Sequence, residues 1–463
     1  MDHKVKTGDG SIWTRMLCPS LIVVAAISWI GGGVTVDVSS IDELIQLLSL
    51  PLLIVSIASL LWQSRMTRVQ AAALGVAVII TCVPLLQLLP VPIGLWLMPA
   101  PRAALAADLA QAGVALSSEH WSLMHSNTER SLWALLPALA CFLAAIQLTA
   151  RQVRMAMQAV LALVLANLAF AFFQVGVPPE SALRLYTDNG AGFGGVLLSS
   201  NHHASALMIG MLVGLGLAAD TRQRVKDGRD GSQHAWIYVV LSLTCFGALL
   251  LARSTAGLIL GVVFFAVGWL ALTSWSRRSQ LGGRLQRAGG LTALALALVG
   301  SFWAFKWMDL AQTEPLRYAV AKETWRLGAA HFPLGSGIGT FVPVFGNSAP
   351  ALLQANGYIN HAHNEYAQWW MTGGLMGMLA LAAALVLLGF VGWLLFRNRH
   401  RNALGVGCWL SVWAVLAHSW VDFPLRTLSL MSMTALVAGL SIAVASQALA
   451  RPRRRPDAAL RRA

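Results

Sequence analysis

The sequence predicts an all-α membrane protein with about twelve transmembrane helices. Of its 463 residues, 57% are hydrophobic and only 11% are charged, and the mean hydropathy is +0.65. Apolar runs of about 18 or more residues recur along the chain, and each is long enough to cross a hydrocarbon core about 30 Å thick. Lys and Arg residues cluster between alternate runs, as the positive-inside rule requires of a polytopic protein.

The hydropathy pattern places the individual helices in order along the chain. The predicted spans lie near residues 17–36, 44–62, 71–98, 131–149, 154–176, 202–219, 235–252, 256–274, 289–308, 366–396, 403–422 and 427–448. If the N-terminus is cytoplasmic, most of the 33 Lys and Arg residues lie on cytoplasmic segments, and the C-terminus is cytoplasmic too.

This topology divides the chain into segments on the two sides of the membrane. A cytoplasmic N-terminus (1–16) precedes nine spans (17–308), which are followed by a large outer loop (309–365), three further spans (366–448) and a basic cytoplasmic tail (449–463). Smaller outer loops are predicted near 99–130 and 177–201. The arginines, histidines and carboxylates that could take part in binding or catalysis therefore lie mostly on the predicted outer side.

Composition and motifs exclude several classes of function. The net charge of +14 is explained by the positive clusters of the cytoplasmic segments, so nucleic-acid binding is not predicted. The five cysteines lie in or beside apolar runs without metal-ligand spacing, and no P-loop or dinucleotide-binding fingerprint is present. No metal or other cofactor is predicted.

Arginines on the outer loops suggest an anionic ligand. A guanidinium group binds phosphate oxygens through two parallel hydrogen bonds, which the ammonium group of lysine cannot form. The alternative for any one arginine is an ion pair, for example Arg426 with Asp422, or a side chain that extends to the membrane surface. The candidates for a phosphate contact are Arg184, Arg253, Arg317 and Arg326.

One spacing within the large outer loop has a physical meaning. If residues 315–330 form a helix, Arg317 and Gly328 share a face, because eleven residues make about three turns. A glycine on that face lets either a ligand or a neighbouring helix approach closely. Arg184 and Gly195 have the same separation, but their segment contains too many glycines for a helix.

The stretch HNEYAQWWMTGGLMG begins at His363, where the tenth span is predicted to start. Unpaired amide groups at a helix N-terminus favour anions and lower the pKa of a nearby imidazole, so His363 is a candidate general base. A histidine that bonds a loop carbonyl is the alternative. Glu365 is a rival base if burial raises its pKa. Trp369 and Trp370 are interpreted as interfacial aromatics rather than sugar platforms.

Several segments resemble the O-antigen ligase and O-antigen polymerase superfamily, which are bacterial inner-membrane glycosyltransferases. His363 and Asn364, followed after nine residues by Gly374 and Gly377, match the His-Asn and Gly-x-x-Gly pattern of the ligases. FPLGSGIGTF, SSNHHASAL and HSWVDFPLR resemble further family segments, as does ARSTAGL, which departs at its first residue. The resemblance covers roughly residues 184–430. The supporting site residues are Asn201, Gly328, Asn364, Gly374, Gly377, Asp422 and Arg426.

The resemblance implies a GT-C-like helical fold and an enzyme with its site at the periplasmic face. The donor would be a glycan on undecaprenyl pyrophosphate, and the acceptor a glycan or lipid A-core. His363 would deprotonate the acceptor hydroxyl, and the anomeric carbon would be inverted without a metal. Arg317 and Arg253, with Arg184 and Arg326 as weaker candidates, would stabilise the pyrophosphate. Membrane lipid would surround the polyprenyl tail.

The resemblance also leaves alternatives open. An arginine followed after ten residues by a glycine, in two outer loops, is a polymerase pattern, which favours a polymerase of O-antigen or exopolysaccharide over a ligase. A transferase that glycosylates proteins is a third member of the same class. A transporter or flippase is the alternative from another class, but the predicted spans are nearly free of charged residues away from their ends.

Overall fold

The computed structural model describes residues 12–34, 40–63, 66–116, 118–178, 181, 183–185, 193–229, 234–272, 310–354 and 359–450. The helices of these ranges are α1 (Ile12–Gly31), α2 (Ser40–Trp62), α3 (Arg68–Gln87), α4 (Ile93–Trp96), α5 (Ala100–Gln111), α6 (His125–Ala134), α7 (Leu136–Ala145), α8 (Ala150–Val175), α9 (Ser200–Lys226), α10 (Ala235–Ala248), α11 (Thr255–Leu272), α12 (Leu310–Ala330), α13 (Phe341–Ser348), α14 (Ala351–Gln354), α15 (Glu365–Phe396), α16 (Ala403–His418) and α17 (Leu428–Ala450). A 3-10 turn covers Pro424–Arg426.

The prediction of an all-α membrane protein is confirmed. Among the described residues, seven helices are long and apolar enough to cross a membrane, namely α2, α3, α8, α9, α11, α15 and α17. Apolar helices of ten to seventeen residues add Met16–Gly31, Ala235–Ala248 and Ala403–His418. The only strands in the described ranges are β1 (Pro90–Pro92) and β2 (Ser118–His120), which pair antiparallel. The predicted span 289–308 and the basic tail lie outside the described residues.

Two predicted spans differ from the observed helices, and proline explains both differences. The span predicted at 71–98 ends at Gln87, since Pro90 and Pro92 lack an amide hydrogen and form β1 instead. The span predicted at 131–149 is divided between α6 and α7, and Pro137 lies in the first turn of α7. Proline fits a first turn, where its missing amide hydrogen leaves no helical bond unmade, and a new helix begins there.

The tenth predicted span is one long helix with a break. α15 has 32 residues and is therefore about 48 Å long, more than a hydrocarbon core requires. Its backbone departs from helical geometry at Gly374, where φ is 56° and ψ is −147°. A first portion, residues 365–373, thus precedes an apolar portion, residues 375–396.

The loop at 331–340 fills the break in α15. The amides of Ser336 and Gly337 donate to the carbonyls of Met371 and Thr372 at 2.9 and 3.0 Å, and the amide of Leu375 donates to Pro333 at 3.0 Å. These bonds satisfy the backbone groups that the break leaves without helical partners. FPLGSGIGTF and the Gly-rich start of the apolar portion therefore form one structural unit.

Helix α9 is the centre of the bundle, since 89% of its most apolar 18-residue stretch is buried inside the protein. It packs against α8, α10, α11 and α16, while α17 packs on α7 and α16. α12 lies against α15 instead of within this bundle. The last turn of α16 contacts both α9, through Ser205 and His418, and the start of α15, through the Ser419 carbonyl and the Glu365 amide, and the candidate site lies at this junction.

Replacing Gly374 with Ala is expected to destabilise the folded protein by about 1–3 kcal/mol or more. Its backbone conformation is accessible almost only to glycine, and an added Cβ would overlap the carbonyl oxygen of Pro333. Gly389 on the same helix has nothing within 4 Å of an added Cβ, so Gly389→Ala is the matched control. Thermal unfolding in detergent measures both. Equal melting temperatures for the two variants would contradict the prediction.

Candidate active site

Asn364 fixes the start of α15. Its side-chain oxygen accepts a hydrogen bond from the amide of Ala367 at 2.9 Å, which is the bonding of a helix N-cap. Its side-chain nitrogen donates to the carbonyl of Trp420 at 2.9 Å, beyond the end of α16. The amide of Glu365 donates to the Ser419 carbonyl, also at 2.9 Å. The residue after His363 thus joins two helix ends.

His363 and Arg253 share an unusual backbone conformation. Their φ angles are 49° and 50°, and among the described residues they are the only non-glycine residues with positive φ. Each directly precedes a residue whose side chain caps a helix, because Ser254 accepts from the amide of Gly257 at 3.1 Å. A left-handed non-glycine residue is strained by about 1–3 kcal/mol, and such residues cluster at functional sites.

His363 lies against a buried carboxylate. Its Nδ1 is 3.6 Å from Oδ1 of Asp422, whose side chain is only 2% exposed. The side chain of His363 remains 25% exposed although Nδ1 itself is buried. The exposed surface therefore belongs to the rest of the ring, and Nδ1 is on the protein side. This orientation leaves Nε2 as the nitrogen for a substrate.

Asp422 is ionised in this environment. Burial by itself raises its pKa, but the contact with His363 and the nearby imidazoles of His202 and His418 outweigh burial and hold the pKa below its usual range. The amide of Phe423 also donates to Oδ1 at 2.9 Å. An ionised carboxylate beside His363 stabilises the imidazolium that forms when this histidine accepts a proton.

Three histidines surround the ring of Phe423. The ring centres of His202, His361 and His363 lie 5.2, 4.5 and 4.8 Å from the Phe423 ring centre. Nδ1 of His361 is 3.3 Å from the amide nitrogen of Gln368. Burial, reinforced by the charge of Arg426 and by the nearby imidazoles, lowers the pKa of His361 to about 3, so this histidine is neutral.

Glu365 is bound by groups from the 3-10 turn. Its Oε1 accepts from the amide of Leu425 at 2.8 Å, and its Oε2 pairs with Nε of Arg426 at 3.1 Å. The side chain of Glu365 is 4% exposed. The example of an Arg426–Asp422 ion pair is therefore wrong, because Arg426 pairs with Glu365 and Asp422 contacts His363. Both oxygens of the rival base are engaged in these bonds.

The predicted helix at 315–330 is present as part of α12. Its Gly328 is covered by Trp370 of α15, and an added Cβ would overlap that indole ring, whose nitrogen donates to the Trp325 carbonyl at 3.2 Å. A neighbouring helix, one of the two alternatives, thus occupies this face. Arg317 lies three turns away, and its charge acts on the imidazole of His418. This arginine is therefore at the end of α12 that approaches the histidines.

The other predicted arginines have different surroundings. Arg253 is exposed, and the start of α11 is near the first turn of α9, because Gly257 lies against Ala204. Arg326 pairs with Glu323 on the same helix at 2.5 Å and is 60% exposed. Arg184 donates from Nε to the Val177 carbonyl at 3.0 Å, and residues 186–192, which follow it closely, lie outside the described residues.

The remaining supporting residues have packing roles or lie beside the site. Gly377 lies under the ring of Trp369, and Gly195 lies against the side chain of Asn167. Asn201 is in the first turn of α9, directly before His202.

The structure adds residues that were not predicted as functional. His202 and His418 interact electrostatically with Asp422, and both lie in segments that the resemblance singled out.

Arg102, on a predicted outer loop, is fully buried and donates from Nη2 to the carbonyls of Trp121 and Gly335 at 2.5 and 2.8 Å. Burial lowers the pKa of Arg102 to about 10. Arg102 thus ties the 331–340 loop to the segment between α5 and α6. Within the described ranges, no group of three His, Cys, Asp or Glu residues is arranged to hold a metal ion.

Comparison with known proteins agrees with the sequence resemblance. Residues 230–382 match the sequence model of a family described as O-antigen ligase. This range includes His363, Asn364, Arg253 and Arg317, and it ends before Asp422. No curated protein sequence matches the chain. The family match over residues 230–382 confirms the resemblance to the O-antigen ligase and polymerase superfamily for this part of the chain.

Proposed function

We propose that this protein transfers an oligosaccharide from undecaprenyl pyrophosphate to a hydroxyl group of an acceptor glycan, at the periplasmic face of a bacterial inner membrane. The observation that carries the proposal is the contact between His363 and Asp422 at the start of α15. His363 lies inside the range that matches the family, and Asp422 lies outside it. A partly exposed imidazole backed by a buried, ionised carboxylate is suited to remove a proton from a hydroxyl group.

The reaction breaks one bond and forms another at the anomeric carbon of the donor sugar. His363 takes the acceptor's hydroxyl proton at Nε2 while the oxygen attacks the anomeric carbon and the bond to pyrophosphate breaks. The product is inverted at that carbon, and the leaving group is undecaprenyl pyrophosphate. The donor is already activated, so the scheme needs neither a nucleotide nor a metal. Arg317 and Arg253 stabilise the pyrophosphate as its charge develops.

The acceptor distinguishes a polymerase from a ligase. We propose a polysaccharide polymerase, for which the acceptor is another lipid-linked glycan, because Arg184 and Arg317 lie on two outer loops at the polymerase spacing. The glycines of the pattern, Gly195 and Gly328, lie closely against Asn167 and Trp370. Transfer to lipid A-core is the second candidate, because the matched family is described as O-antigen ligase.

Deletion of the gene in its own bacterium separates these functions. Loss of a polymerase leaves single repeats on the lipid anchor in a polysaccharide gel, whereas loss of a ligase leaves lipid A-core without glycan and lipid-linked polymer intact. Transfer by the purified protein from a lipid-linked donor must accompany either result. A purified protein that shows no transfer, with a deletion strain that retains donor on the cytoplasmic face, would indicate a flippase instead.

The proposal also requires a particular topology. Positions 120, 190 and 350 are expected to be periplasmic, and positions 225, 282 and 400 cytoplasmic, because Lys and Arg cluster around the second set. Cysteine labelling with a membrane-impermeant reagent measures this at each position. A cytoplasmic position 350 would rule out a periplasmic site at His363.

A further inference from the structure

The first turn of α9 contains a buried histidine with an unusual lack of partners. His202 is 1% exposed, and neither of its ring nitrogens has a hydrogen-bond partner among the described residues. Burying an imidazole without hydrogen bonds is unfavourable, so its presence at this position indicates a role beyond packing. The adjacent His203 is equally buried but is 2.9 Å from the Asn167 side chain through Nδ1.

The helices place His202 beside Asp422. His202 and Ser205 are three residues apart and therefore share a face of α9. The hydroxyl of Ser205 is 2.7 Å from Nδ1 of His418, in the last turn of α16, and the amide of Asp422 donates to the His418 carbonyl at 3.0 Å. The ring of His202 also lies edge-on to Phe423, at 5.2 Å. One face of α9 thus lies against the turn that contains Asp422.

The groups along this contact have complementary hydrogen-bonding capacity. In the described part of the chain, Oδ2 of Asp422 and Nε2 of His418 are buried without a partner, as are both nitrogens of His202. Asp422 uses Oδ1 for the Phe423 amide and for the approach of His363. Its second oxygen therefore remains available for another donor.

We propose that His202 is a positioning residue: a small rotation of its ring from the unpaired position in the structure lets it donate an N–H to Oδ2 of Asp422 and hold this carboxylate against His363. This inference rests on the proposed role of His363 as the base. After this rotation the other nitrogen of His202 would accept from Nε2 of His418, while Nδ1 of His418 accepts from the Ser205 hydroxyl. Each imidazole is neutral in this arrangement, and Asp422 has the single negative charge.

The series of hydrogen bonds from Ser205 through His418 and His202 orients Asp422, and no proton is transferred along it. When His363 takes the acceptor proton at Nε2, its Nδ1 proton remains directed at Asp422, and the protons on His202 and His418 stay in place. Because His202 lies behind Asp422 and does not touch substrate, its loss should lower kcat while leaving KM almost unchanged. A residue needed only for packing would instead lower the amount of folded protein.

The test compares three substitutions of His202 in the purified full-length enzyme, with a lipid-linked oligosaccharide as donor. His202→Leu removes the donor at similar volume, while His202→Asn and His202→Gln restore an N–H near the positions of Nδ1 and Nε2. We expect His202→Leu to lower kcat by about 10-fold or more, with KM within about 3-fold of the wild-type value. At least one of the two amide variants should recover most of the lost kcat.

Ser205→Ala, at the far end of this series of hydrogen bonds, should lower kcat less. His203→Leu is the control for general disruption, and its kcat per folded molecule should be near that of the wild type.

Wild-type kcat in His202→Leu overturns the inference and leaves the proposed function intact, provided that His363→Ala is inactive in the same assay. Equal loss in His202→Leu, His202→Asn and His202→Gln also overturns it, because an N–H donor would then have no effect. Turnover that persists in His363→Ala refutes the proposed base, and the role of His202 with it.

Discussion

Replacing His363 with Ala is expected to abolish detectable glycan transfer, because general-base catalysis contributes about 10²- to 10⁴-fold to the rate. The imidazole is partly exposed, and its buried Nδ1 faces the ionised Asp422, so the ring presents its other nitrogen to an acceptor. Transfer is measured in vitro from a purified lipid-linked donor, with membrane levels of the variant checked by immunoblot. The protein should still reach the membrane, since His363 has few bonds that support the fold.

Two neighbouring substitutions make this result specific. His361→Ala should keep much of the activity, because this histidine is neutral and packs against Phe423 and Gln368. Glu365→Gln removes a charge that Arg426 needs, and breaking a buried ion pair costs about 3–5 kcal/mol, so stability should fall. Its activity per folded molecule should remain. An active His363→Ala together with a folded but inactive Glu365→Gln would assign the base to the carboxylate.

Much of the fold was predictable because the length and polarity of a membrane helix are local properties of the sequence. The apolar runs located α2, α8 and α17 to within a few residues. The helix at 315–330 followed from the same kind of local pattern. The ends of the third and fourth spans were wrong because hydropathy does not register the backbone constraints of Pro90 and Pro137.

The break in α15 was not predictable from periodicity. Gly374 lies in an apolar run that has the hydropathy of a continuous span, and its conformation depends on hydrogen bonds from the 331–340 loop. The same limit applies to the ion pairs. Arg426 has Asp422 four residues before it and Glu365 61 residues before it, and the fold brings it to the more distant carboxylate.

The candidate site was only partly predictable for a related reason. His363, Asn364 and Asp422 were identified by their sequence segments, and the structure brings them together. The roles of His202 and His418 depend on the packing of α9 against α16, which no local pattern indicates. Buried histidines at the ends of apolar runs are the signal that could have identified them, since each needs a partner from another helix.

Replacing Arg317 or Arg253 with Ala is expected to lower transfer by about 10²- to 10³-fold, which corresponds to about 2.7–4 kcal/mol of transition-state stabilisation. Arg317 is at the end of α12 that lies within electrostatic range of His418, and Arg253 has a strained backbone of the kind that clusters at functional sites. Lysine should restore part of the activity at each position but not all of it, because an ammonium group cannot bind two phosphate oxygens with a planar fork.

The controls separate phosphate recognition from charge and from backbone strain. Arg326→Ala should have little effect, since this exposed side chain is already paired with Glu323. Arg253→Asn keeps a residue that tolerates positive φ while it removes the charge, so it should be as inactive as Arg253→Ala. Initial rates at saturating donor, together with the donor KM, measure each variant.

If lysine is as active as arginine at both positions, the site needs only positive charge, and the proposed bidentate recognition of pyrophosphate is wrong. If Arg253→Asn is active while Arg253→Ala is not, the conformation of this residue matters rather than its guanidinium, and Arg317 alone remains as the pyrophosphate ligand.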